Sequence, residues 1–162
     1  MRDSIELSKK NFYTVVMLCA TIILMVSLET ILMVKDNRMF ELWSSNPNLV
    51  DKIGTSDVQE MYSVYLTMCL SMFFIKVITP MALAINTYLS FIKLKISKLF
   101  VQTWVVLLIG LFIFVALMEK FYSIFFMINT IAYLLLLIKI ICFWVAINRR
   151  KNEEILESIQ KS

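Results

Sequence analysis

Three charged side chains stand inside the long apolar runs of this chain, and they limit the chemistry it can do: Glu29, Lys76 and Lys139. A carboxylate and an ammonium that meet in lipid can pair, relay a proton or line a path for an anion. Neither replaces histidine, and the chain has none, so the commonest general base and metal ligand is missing. Cys19, Cys69 and Cys142 lie far apart in apolar runs, form no C-x-x-C and read as small hydrophobes. There is no H-E-x-x-H, G-x-S-x-G, phosphate-binding loop or intramembrane aspartate pair. Ser71 lies on a different helical face from Lys76, and Ser90 is four turns away, so no serine–lysine hydrolase is built. The expectation is a non-enzyme that needs neither metal nor cofactor.

Depth decides which charges can meet. Glu29 lies about 18 residues beyond Lys10, and Lys76 about 17 before Lys93, which puts both roughly 25–27 Å from the same flank. Asn129, about 20 residues before Arg149, reaches a similar level. An intramembrane polar cluster of Glu29, Lys76, Thr79 and Asn129 follows, with a Glu29–Lys76 ion pair at its centre. An isolated charge at mid-bilayer costs about 2.5–3.5 kcal/mol on insertion scales, which favours pairing. Snorkelling of each group to the headgroups and a part in conduction or binding are the other readings.

Lys139 lies about ten residues, roughly 15 Å, from Arg149, and no acid of the chain reaches that depth. Its spacing with Asn129, Ala132, Leu136, Phe143 and Ala146 predicts an inner polar group of Asn86, Gln102 and Lys139. Three readings stand for Lys139: solvation in an internal cleft, pairing with an acid on another subunit, or stretching to the interface.

The elements that must place these groups are helices. The chain has 162 residues, of which 60% are hydrophobic and 17% charged, and its mean hydropathy is +0.80. Four runs reach the roughly 20 apolar residues that cross a bilayer, at about 12–34, 61–92, 99–118 and 121–147. They leave no separate soluble domain, so residues 1–162 read as one integral membrane domain. The first run is too long for a signal-peptide core and reads as a retained anchor. It carries Thr14, Thr21 and Glu29 on one side and the small residues Ala20 and Ser27 on another.

Residues 35–60 form the longest connection, a lid-like outer loop with a Met39–Trp43 piece suited to the interface. Ser56 as N-cap with Gln59 three residues later marks the next helix start. From Asp57 to Lys93 that helix would be roughly 54 Å long, so its first turns should project from the membrane. Within it Tyr62, Tyr65, Cys69, Met72, Lys76, Thr79, Leu83, Asn86 and Ser90 alternate at three- and four-residue steps, a stripe that should face protein. Pro80 has no N–H, which strips the carbonyl of Lys76 of its usual partner and predicts a hinge or bend there. Glu119 and Lys120 form a minimal turn, and the tail after Lys151 continues as a short surface helix.

Lys and Arg number ten on the flanks shared by both termini and residues 93–98, against four on the other side. The net charge of +4 is thus a topology signal and not a nucleic-acid footprint. Trp104 and Trp144, each five or six residues from the basic flank, would form an aromatic belt there.

The expected fold is an all-α membrane protein, an antiparallel bundle of four transmembrane helices with both termini cytoplasmic and a long second helix bent near Pro80. No motif is specific enough to name a family. Abundant Ile, Lys and Asn with little Gly suggest a bacterial cytoplasmic membrane. The expected partners are the lipid bilayer and this protein itself or another membrane protein, with no nucleic acid. The expected function is that of an accessory or oligomerising subunit acting through helix contacts. The alternative is a small anion-leaning channel or transporter lined by the stripe of the second helix, and a loop-based ligand sensor has no motif behind it.

Overall fold

A computed structural model describes residues 4–45, 57–93, 95–118 and 124–160. Much of the outer loop, the Glu119–Lys120 turn and the first residues expected of the fourth span lie outside the described residues. Five helices and a two-residue strand pair are present among those described. In chain order they are β1 (Ser4–Ile5), α1 (Lys9–Lys35), α2 (Asn37–Ser44), α3 (Val58–Ile92), β2 (Ile96–Ser97), α4 (Lys98–Met118) and α5 (Ile124–Gln160). Four of the helices, α1, α3, α4 and α5, are long and apolar enough to cross a membrane. The protein is therefore of the multi-pass membrane type.

Local signals explain the helix starts. Ser8 caps α1 by accepting from the Asn11 N–H at 3.3 Å, and Asp57 caps α3 by accepting from Gln59 N–H at 3.0 Å. Asp57 is thus the cap of α3, its carboxylate taking the second helical N–H, and Ser56 lies outside the described residues. α3 spans 35 residues, longer than the hydrocarbon needs, as its sequence implies. The fourth span and the tail are one uninterrupted helix through Gln160.

α1 is central: it packs most extensively on α3 and then on α5, while α4 packs on α5. α1 and α3 run antiparallel, since Phe12 stacks on Phe91 at one end and Tyr65 bonds Met33 at the other. Each helix buries a narrow stripe. On α1 it is Val15, Cys19, Ile22, Val26 and Glu29; on α4 it is Val101, Trp104, Leu108, Leu111 and Val115. The remaining surface is apolar too, with Leu24, Phe74, Ile78, Val106, Ile138 and Val145 exposed. That is the inside-out balance expected when lipid, not water, is the solvent, so close packing and polar pairing must hold the helices together.

Six hydroxyls on the spans are satisfied locally, whereas Thr87 Oγ1 is buried with no hydrogen-bond partner among the described residues. Thr14, Thr21, Ser27, Thr30, Thr67 and Ser71 each donate to the carbonyl four residues back in the same helix, at 2.7–2.9 Å. They need no second helix, which is why they mark no site. Ala20 is exposed, so the small face of α1 seats no helix within the molecule.

Both ends of the α1–α3 pair are fastened. At one end α2 lays Phe40 and Trp43 against Tyr62 and Tyr65, with ring centroids 5.2 Å apart for Phe40–Tyr62 and 5.4 Å for Trp43–Tyr65. Tyr65 also donates its hydroxyl to the carbonyl of Met33 at 3.0 Å, one of the orphan acceptors at the end of α1. At the other end β1 pairs antiparallel with β2, Ser4 opposite Ser97 and Ile5 opposite Ile96. The sequence offered no strand signal there; Leu7 and Ile96 are buried beside this ladder and tie the N-terminal arm to the α3–α4 connector.

Candidate functional site

Where α1, α3 and α5 meet, the interior is polar. Lys76 Nζ donates to Glu29 Oε2 at 3.2 Å, and the two residues are only 9% and 7% exposed. Glu29 belongs to the inward stripe of α1 and Lys76 to that of α3, so the backbone of each helix aims the charge at the other. The pair expected from equal depth is present. Its mutual attraction offsets the cost of holding two ions away from water, and losing one partner would strand the other.

One turn beyond Lys76 the fully buried Pro80 interrupts the helical ladder, as its missing N–H requires. The freed carbonyl of Lys76 does not go unsatisfied: Tyr133 of α5 donates its hydroxyl to it at 3.2 Å. Tyr133 is 4% exposed and was not singled out from sequence, where it reads as one more aromatic in an apolar run. A signal was available, because a proline inside a lipid-buried helix calls for an outside donor at the residue four positions back. Lys76 is thus gripped twice, by α1 through its ammonium and by α5 through its carbonyl.

Asn129, one turn before Tyr133 on the same face, is 5% exposed, and its buried Oδ1 has no hydrogen-bond partner among the described residues. Thr79 is half-buried at the edge of this group. Of the four residues expected as a cluster, Glu29, Lys76 and Asn129 are buried and Glu29 and Lys76 are in direct contact, while Thr79 lies three residues beyond Lys76, off the inward face.

The inner polar group is not formed. Asn86 and Gln102 are exposed, and Lys139 is half-buried at the rim of the α5 interface. The reason is geometric. The expected stripes are correct at the heptad positions Cys69, Lys76 and Leu83 of α3 and Asn129, Leu136 and Phe143 of α5. Between these, the interior takes the residue four ahead, Pro80 and Thr87 on α3 and Tyr133, Ile140 and Ile147 on α5, and the residue three ahead only at Ala132. A step of four residues turns about 40° forward and a step of three about 60° back, so the choice swings the inward direction by about 100°. Asn86, Lys139 and Ala146 all lie on the three-residue side. Ser90 is half-buried and Tyr62 exposed, so the stripe of α3 does not line a continuous polar path.

Trp104 is buried in the apolar core and Trp144 packs half-buried against it, so they are core residues and not a belt. Cys19 and Cys69 are buried, Cys142 is exposed, and all three are free thiols. No group of side chains suited to a metal ion occurs among the described residues. Compared with known proteins, the chain matches no protein-family model, no curated protein and no solved structure.

Proposed function

We propose that this is a non-enzymatic accessory or oligomerising subunit of a membrane complex, working through helix contacts inside the bilayer. In this reading the four long helices form an antiparallel bundle in a bacterial cytoplasmic membrane, with both termini cytoplasmic. The excess of Lys and Arg on the side of the termini supports that orientation, and labelling of single cysteines placed at residues 2 and 161 in sealed cells tests it.

The observation that carries the functional reading is Lys139. Its side chain is half-buried in mid-span, and no ion pair or hydrogen bond of it is found among the described residues. Glu29 is the one acid of the chain inside a span, and it is held by Lys76. A carboxylate on a neighbouring helix would remove the cost of the unmatched ammonium, which makes Lys139 a device for choosing a partner. A second copy would bring another lysine to the same level, so an unlike subunit satisfies this face better.

Extraction of native membranes with a mild detergent, followed by sizing, tests this. The chain is expected to travel in a complex larger than its own 19.0 kDa and to leave it in Lys139→Leu. A monodisperse wild-type monomer would refute the reading. The channel alternative fits the geometry less well, because Asn86 points outward and Lys76 is engaged; an anion leak in liposomes, abolished by Lys76→Met, would restore it.

A further inference from the structure

At the basic end of the molecule, five lysines come together from two distant stretches of chain. Lys9 and Lys10 open α1, Lys93 caps α3, and Lys95 and Lys98 flank β2. The β1–β2 ladder and the Phe12–Phe91 stack at 4.4 Å hold those stretches side by side. Lys9, Lys10, Lys93 and Lys95 are exposed, Lys98 is half-buried, and none of the five is in an ion pair among the described residues. Glu6 is the one described carboxylate on β1, β2 or the connections joining them to α1, α3 and α4.

The other basic group of the chain differs. Arg149 pairs with Glu153 at 3.3 Å, and Arg150 and Lys151 also engage neighbours. Neither α1 nor α4 has an acid in its first turn, so the positive ends of both helices add to the lysine field instead of offsetting it. About one turn into the spans, Tyr13 and Tyr88 are exposed near Phe12, whose ring lies 5.2 Å from Tyr13 and 6.4 Å from Tyr88. A ring of unmatched ammonium groups above exposed tyrosines has the polarity of a phospholipid: phosphate outside, glycerol and ester region beneath.

We propose that this end of α1, α3 and α4 is a docking site for an anionic phospholipid, whose phosphate the lysines hold and whose glycerol region lies along Tyr13 and Tyr88. The β1–β2 ladder helps to assemble it, together with the Phe12–Phe91 stack that holds the start of α1 beside the end of α3.

The test uses the purified full chain in neutral detergent, with phosphatidylglycerol, phosphatidylcholine or inorganic phosphate added, read by native mass spectrometry and by thermal melting. Phosphatidylglycerol is expected to be retained and to raise the melting temperature, phosphatidylcholine and inorganic phosphate to do neither. Changing Lys93, Lys95 and Lys98 together to Gln should weaken retention about fivefold per lysine, about a hundredfold in all, the equivalent of about 1 kcal/mol each. Arg150→Gln with Lys151→Gln should leave it within about twofold. Should the lysine variant fold poorly, the wild-type chain still decides: retention must fall steeply between 0.1 M and 1 M salt. Equal losses in the two variants, salt-insensitive retention, or the same shift with inorganic phosphate would each overturn the proposal.

Discussion

The two halves of the α1–α3–α5 interface treat charged side chains in opposite ways. In the half nearer α2, Glu29 and Lys76 are buried against each other with Tyr133 beside them. In the half nearer the β1–β2 ladder, Asn86 is outside and Lys139 is at the rim, and the interior holds Ile140, Ile147 and the uncharged Thr87. Glu29 and Asn86 each lie six residues from the end of their helix, so distance from the helix end does not separate them. Complementarity does. A charge with an opposite charge at its own level is drawn in. A charge without one stays at the edge, while the amides divide: Asn129 is buried and Asn86 is exposed.

The largest effect should come from breaking that complementarity. Glu29→Gln or Lys76→Met alone should each destabilise the folded helices by about 3–5 kcal/mol, because each strands a buried charge. The double variant should recover most of the loss when unfolding is followed in mixed micelles. Additive losses would show that the two residues do not act as a pair.

An intermediate effect is expected at the proline. Tyr133→Phe leaves the Lys76 carbonyl without its donor and should cost about 1–3 kcal/mol. In a Pro80→Ala background the helix regains an N–H four residues on, and the same Tyr133→Phe change should then cost less than half as much. An unchanged cost would mean that Tyr133 acts through packing and not through the notch at Pro80.

The smallest effects should lie in the other half. Asn86→Leu and Gln102→Leu should each stay within about 0.5 kcal/mol of the wild type, as exposed positions do. A loss of several kcal/mol in either would place an amide in the interior and dissolve the contrast.

Much of this was legible in the residues. Apolar run length gives the four long helices, and equal spacing from the basic flanks brings Glu29, Lys76 and Asn129 to one level. Rotation about each helix axis was not legible, because the reading turned polar residues inward as a class. That rule holds at Lys76, which has Glu29, and fails at Asn86 and Lys139, which have no opposite charge to meet. The β1–β2 ladder was invisible because two paired residues leave no periodicity. Tyr133 was hidden for a different cause: its role depends on a vacancy created 53 residues earlier by Pro80.

The hydroxyl that completes α3 belongs to a helix made after it. While α3 emerges during synthesis, the carbonyl of Lys76 has neither an amide from Pro80 nor the phenol of Tyr133. It stays exposed until α4 has been made and α5 has turned back alongside. The third helix is therefore finished by the fifth, and a chain cut short after Met118 should hold α3 in an unsettled, protease-sensitive form even though every residue of that helix is present.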